Sequence, residues 1–184
     1  EHLAGKVAPG PEIGVSGSGI PAALERELRF PYDSGLDWAD LAGAKDDNAA
    51  TNGALAGERI TTAQVLHPEL GAGWQPATVE QPDLSKQLGS GWNRASTGSF
   101  GEFRLRNFLQ LRLAGLPAVA GAAGWSGDQY ALYTNGDDSV VLLEVAFDLA
   151  ENANEFADAM ASWLELSGAH GDPEAVQTLA DSRG

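Results

Sequence analysis

Residues 129–147 read Gln129-Tyr130-Ala131-Leu132-Tyr133-Thr134-Asn135-Gly136-Asp137-Asp138-Ser139-Val140-Val141-Leu142-Leu143-Glu144-Val145-Ala146-Phe147, and the fold class turns on this stretch. Two largely apolar runs, Gln129–Tyr133 and Val140–Phe147, flank a polar connection. Within that connection Asn135-Gly136 supplies the positive φ angles that a tight hairpin needs. In the second run Val141, Leu143 and Val145 alternate with Val140, Leu142, Glu144 and Ala146, so both faces are largely apolar and the spacing predicts a central strand.

On the C-terminal side, residues 151–166 carry Phe156, Met160, Trp163 and Leu164 on one stripe, which predicts an amphipathic helix with Gly168 ending it. Pro173 starts a final short helix or tail. On the N-terminal side the periodicity of 101–113 fits a strand or a helix. Ser99 followed by Glu102 forms a capping-box pattern and decides for a helix. Residues 117–123, rich in small side chains, predict a second turn of helix suited to close packing, and 92–100 a strand. Strand, helix, hairpin and helix together make an α+β fold: a small antiparallel sheet with helices packed on one face.

Further upstream the chain is helical and irregular. Residues 71–90 hold Gly71, Gly73, Pro76, Pro82 and Gly89 and read as extended connection. Thr61 or Thr62 caps one short turn of helix that stops before Pro68. Residues 44–57 read as a surface loop. A helix over 21–28 ends at Pro31, and Ser34 caps a second one carrying Leu36, Trp38 and Leu41. Three parts follow: a flexible arm over 1–19, a helical and irregular part over 20–90, and an α+β part over 91–184, with 20–167 forming one compact domain.

The 184 residues carry 26 acidic and 11 basic side chains, a formal net charge of −15. That field repels nucleic acid and anionic lipid and makes both poor candidates as partners. With no cysteine, disulfides, thiolate nucleophiles and Cys-ligated metals are excluded as well. No apolar run reaches the roughly 18 to 20 residues of a membrane helix. The three histidines, His2, His67 and His170, lie far apart and lack zinc-ligand spacing. No Gly-x-Ser-x-Gly elbow, phosphate loop or calcium loop is present. The expectation is therefore no catalytic residue, no metal and no cofactor.

What remains is polar and aromatic. His67, in Leu66-His67-Pro68-Glu69, either satisfies a backbone carbonyl where its helix ends or donates into a binding cleft. Five tryptophans serve core packing or a flat ligand surface, and Trp74, Trp92 and Trp125 each follow a glycine. Arg104, Arg106 and Arg112 are expected to pair with acidic neighbours rather than bind an anion.

Four segments carry a resemblance: Phe30-Pro31-Tyr32 with Gly35; Thr61-Thr62-Ala63-Gln64-Val65-Leu66-His67-Pro68-Glu69; Gly101-Glu102 with Leu105-Arg106; and Ala123-Gly124-Trp125-Ser126-Gly127-Asp128-Gln129-Tyr130. Over roughly residues 20–166 the chain resembles the C-terminal region of exported bacterial and archaeal proteins that carry a His-Glu-x-x-His zinc-peptidase-like segment upstream. That segment is missing here. Ala63 stands where the resemblance expects an acid, and Ser126 and Gln129 where it expects Gly and Arg. The resemblance implies a non-catalytic, extracytoplasmic binding or accessory domain (periplasmic, cell-surface or secreted) that meets a protein partner or companion chain. Its expected surface joins His67 and Glu69 to Trp125, Asp128 and Tyr130. Two alternatives stand beside it. One is a fragment or subunit of a zinc-dependent hydrolase whose metal lies on another segment. The other is a structural subunit of a larger assembly, associated peripherally with a membrane. The chain opens on Glu1 rather than Met and reads as processed or cut.

Overall fold

The computed structural model describes residues 19–46 and 48–168, with the side chains of 43–46 left aside. The fold is α+β, as the hairpin reading required. In chain order it contains α1 (Ala22–Asp46), α2 (Ala49–Leu55), α3 (Thr62–Leu66), a 3₁₀ turn (Pro68–Leu70) and α4 (Ser85–Leu88). β1 (Asn93–Gly98), α5 (Gly101–Leu109), α6 (Leu116–Ala120), β2 (Trp125–Asn135), β3 (Asp138–Phe147) and α7 (Ala150–Leu166) follow. The expected arm lies almost wholly outside the described residues, as do His2, His170 and the helix expected from Pro173.

The hairpin forms with Asn135 paired to Asp138, so Gly136 and Asp137 are its two loop residues. Gly136 has φ 60°, whereas Asn135 and Asp137 are not among the residues of positive φ. Glycine therefore occupies the first central position, and the positive φ that was expected from the Asn-Gly pair is carried by Gly136 alone. The sheet is antiparallel in the order β1-β2-β3. This corrects the reading of β3: it is an edge, and β2 is the central strand. The apolar alternation of β3 arises because one face meets the helices while the other lies beside β2 residues that are themselves covered. Extended chain over 77–84 crosses that second face. Ala77 N donates to Ser126 O (2.6 Å), Gln81 Nε2 to Gln129 O (2.7 Å) and Leu84 N to Tyr133 Oη (3.0 Å).

On the helix face, Leu105, Leu109, Leu113, Ala118, Ala122, Trp125 and Ala159 form the core, joined by Ala63 from α3. Phe108 stacks on Trp163 with centroids 4.7 Å apart, and Phe147 meets Phe156 at 5.4 Å. Gly121 is needed for this closeness, because an added Cβ would lie 2.7 Å from the Ala159 Cβ. The small residues of α6 thus do what their size suggested.

α1 runs straight through Pro31 and Ser34, against the expected break. Proline removes one helical bond, but the helix is tied to α5 on the N-terminal side of that loss. Arg26 Nε donates to Asn107 Oδ1 (2.6 Å), Asn107 Nδ2 donates to Ala23 O (2.9 Å), and Phe30 stacks on Phe103 at 3.9 Å. Tertiary contacts override the local breaker. Likewise 49–55, expected as loop, is helical despite Gly53. The break falls at Asn48, whose φ of 67° is left-handed. By contrast, the Thr61 cap is as expected and forms a full capping box with Gln64.

The Ser99/Glu102 capping box does not form: α5 has no side-chain bond from its own N-cap residue. Asp128 of β2 takes that role from outside. Its carboxylate accepts from Phe100 N (2.9 Å), Gly101 N (2.9 Å) and Trp125 Nε1 (3.1 Å). The register shift between Trp125 and Gly127 is what lets residues three apart share a face.

Three outcomes follow for stability. Asp128→Ala should cost about 2 kcal/mol in urea unfolding, since it strips three donors of a charged acceptor. Ser99→Ala should be nearly neutral. Pro31→Ala should raise stability by about 1 to 3 kcal/mol, read the same way, by restoring a helical bond.

Candidate functional site

α3 ends at His67 because Pro68 follows, and the chain turns there into the 3₁₀ turn that carries Glu69. Buried Gln64 holds this turn from behind. Its Oε1 accepts from Thr61 N (2.9 Å), and its Nε2 donates to Gly71 O (2.8 Å) and Trp74 O (3.3 Å). Thr62 Oγ1 accepts from Phe103 N (3.3 Å), which sets the first turn of α5 beside α3. His67 and Glu102 consequently meet: His67 Nε2 lies 2.7 Å from Glu102 Oε1, and Nδ1 lies 3.5 Å from Glu69 Oε1. The ring's partners are carboxylates, not the backbone carbonyl that one reading expected.

The dyad opens into a cavity of about 260 Å³. Its walls include Trp74, Trp125, Gly124 and, from the edge of α7, Asp148 and Asn152. Asn152 Nδ2 donates to Asp148 Oδ1 (2.6 Å), and Asp148 N donates to Gly124 O (2.9 Å). Gly124 has φ 70°, and the space a side chain would take there is filled by Asn152 and Asp148. Trp74 and Trp125 lie 6.2 Å apart, centroid to centroid, and form the aromatic side.

Of the expected surface, His67, Glu69 and Trp125 line this cavity. Asp128 does not; it stands behind Trp125 as the cap of α5. Tyr130 also falls elsewhere, on a second cavity, with its ring edge-on to Phe100 at 5.3 Å. Trp125 is only 5% exposed and belongs to the core, so its wall is a buried ring edge rather than a free surface. The segment 124–130 is mostly regular strand, with β2 beginning at Trp125. Glu102, Asp148 and Asn152 are additions that sequence reasoning missed. Glu102 had been assigned to a local cap, and its true partner is 35 residues away. Of the arginines, Arg104 meets Glu27 at 3.6 Å, while Arg112 lies over the Trp163 ring at 5.8 Å. Among the described residues no three His, Asp or Glu side chains group as metal ligands.

Burial raises the Glu102 carboxyl above its ordinary value, and Asp148 pushes the same way. The His67 hydrogen bond and the charges of His67 and Arg106 oppose this without cancelling it. The contact survives either proton position, because a protonated carboxyl donates to an unprotonated Nε2 and an ionised one accepts from Nε2–H. The pair can therefore present a hydrogen-bonding imidazole edge, negative charge from Glu69 and Asp148, and an aromatic wall.

Residues 86–183 match a domain family described as a domain of unknown function (DUF8575), and as this is more than half of the chain, the protein belongs to that family. No curated protein and no solved structure matches. The matched residues contain Glu102, Trp125, Asp148 and Asn152, whereas His67 and Glu69 precede them.

A raised folded-state value means that Glu102 contributes stability present in full below the unfolded carboxyl value and lost as pH rises through the folded one. The stability of wild type relative to Glu102→Gln should therefore fall, in urea unfolding, as pH rises above the ordinary carboxyl range. A pH-independent difference would show an ordinary, fully ionised carboxylate.

Proposed function

We propose that the protein is a non-catalytic binding domain, acting outside the cytoplasm as an accessory module, and that the His67 cavity holds a basic side chain of its protein partner. The observation that carries this reading is the lining itself. Glu69, Glu102 and Asp148 line it together with the His67 edge and a tryptophan wall, and among the described residues the lining includes no lysine or arginine. A guanidinium or ammonium group suits such a cavity through charge and through the ring face. The net charge of −15 adds long-range attraction for a basic partner. Extracytoplasmic placement rests on the resemblance to exported proteins.

The His67–Glu102 contact also favours a second reading, a hydrolase subunit whose metal-bearing segment lies on another chain. A histidine oriented by a buried carboxylate is the arrangement that second-sphere positions of metal sites use.

Titration of the full chain with a short arginine-containing peptide, followed by tryptophan fluorescence, tests the first reading. Asp148→Asn should weaken binding about tenfold with the melting temperature nearly unchanged, and His67→Ala should weaken binding about tenfold and also lower the melting temperature, because it strips buried Glu102 of its partner. Trp125→Ala is not a test of the surface, because it opens the core. Binding insensitive to both substitutions would overturn the proposal.

A further inference from the structure

α1 departs from the usual surface helix, whose outward face is polar. Its inward residues are settled: Arg26 and Phe30 meet α5, while Trp38 and Ala42 share a small cavity with Gln64. Leu24, Leu28, Tyr32 and Leu36 each stand two positions from one of these, about 200° round the helix, and so point outward. They are 49%, 56%, 78% and 64% exposed. Spaced four apart, they make one continuous ridge about 18 Å long. A single exposed leucine is ordinary, but a row of four large apolar side chains marks a contact surface.

Residues three apart on a helix are neighbours, so the borders of the ridge can be read directly. On one side lie Glu25, Arg29 and Asp33, and Asp40 continues the ridge line past Leu36. Arg29 pairs with Asp33 at 3.4 Å, which leaves this side acidic. On the other side lie Pro31, Gly35 and Ala39, which are small enough to let a second helix approach closely. A Cβ added at Gly35 would meet only the Phe30 carbonyl, 3.9 Å away, so among the described residues nothing covers that side.

We propose that this ridge is the docking surface for an amphipathic helix of a partner protein, about three to four turns long, with lysine or arginine along one border of its apolar face. The apolar face covers Leu24, Leu28, Tyr32 and Leu36, and the basic border lies over Glu25, Asp33 and Asp40. The net charge of −15 draws such a partner in and sets its orientation. A second copy of this chain fits poorly, because it brings the same acidic row and the same net charge. A bilayer surface fits no better, since helices that lie on membranes border their apolar face with lysine and arginine.

None of the ridge residues lines the His67 cavity, so the two proposals fail independently. The probe is a leucine–lysine peptide of about eighteen residues patterned to one apolar helical face, added to the full chain at physiological salt. Anisotropy of the labelled peptide reads binding, and circular dichroism reads its folding. Leu28→Gln and Tyr32→Gln should each weaken binding about tenfold without lowering the melting temperature, because both side chains lie in water in the free chain. Leu116→Gln, at a leucine 82% exposed on α6, should have no effect. The arginine peptide that tests the His67 cavity should bind the Leu28→Gln chain as it binds wild type. The proposal is overturned if a peptide of the same composition with scattered leucines, or a leucine–glutamate peptide, binds equally well, or if neither ridge substitution matters. Dimers that Leu28→Gln abolishes would also overturn it, as would binding of the ridge to vesicles of zwitterionic lipid. So would nuclear Overhauser contacts, in the free chain, between Leu28 or Tyr32 and residues 1–18 or 169–184.

Discussion

One carboxylate organises the junction between sheet and helices. Asp128, on the central strand, accepts from the two backbone amides that open α5 and from the indole of Trp125. Each such bond to a charged acceptor is worth about 1.5 to 3 kcal/mol, and here all three act on one geometry. The start of α5 is thereby pinned to β2, at a glycine whose φ of 72° allows the chain to turn from β1 into the helix. With α5 so placed, Glu102 points at α3 and Leu105 and Leu109 fall into the core. Trp125 is held with its nitrogen satisfied, which is what allows so large a polar-tipped ring to be nearly buried.

The N-terminal helices are joined to this unit by polar tacks as well as by apolar contact. Gln64, Glu102 and Asn107 are buried, and each bonds across a gap in the fold. Gln64 gathers the chain at 71–74, Glu102 meets His67, and Asn107 joins Arg26 to the Ala23 carbonyl. A satisfied buried amide adds modestly to stability, but leaving it unsatisfied costs about 1 to 3 kcal/mol. Such groups therefore discriminate against other dockings of α1 and α3 more than they strengthen the observed one. Only Glu102 keeps part of its desolvation cost, seen as its raised carboxyl value, and it lies where a cavity opens.

What could be read from the residues was what depends on neighbours in sequence. The hairpin, the stripe on α7, a threonine cap at 61 or 62 and Gly168 as the end of α7 are all local signals, and the structure has each of them, with Thr61 as the cap. The misreadings share a cause. Pro31 and Gly53 are locally unfavourable to helix, and contacts with remote residues outweigh them. Ser99 and Glu102 have the spacing of a cap, but Asp128 offers the same amides a charged acceptor and Glu102 is drawn to His67. β3 looked central because its apolar faces were counted without knowing that 77–84 covers the far side of the sheet. The site followed the same rule. His67, Glu69 and Trp125 were legible as unusual residues, whereas Glu102 and Asp148 carry no signal until the fold brings them near.

The limits of the matched family segment then have a structural meaning. Residues 86–183 hold the sheet, α5, α6 and α7, yet Ala63, fully buried in the core, precedes them. The same segment contains Asn107 and Glu102 but none of Ala23, Arg26 and His67, which satisfy them. Two buried polar groups facing empty space would be a costly surface to leave uncovered. The cooperative unit therefore extends upstream to α1, and the His67 cavity is a product of that docking: one wall comes from the matched segment and the other from helices that precede it.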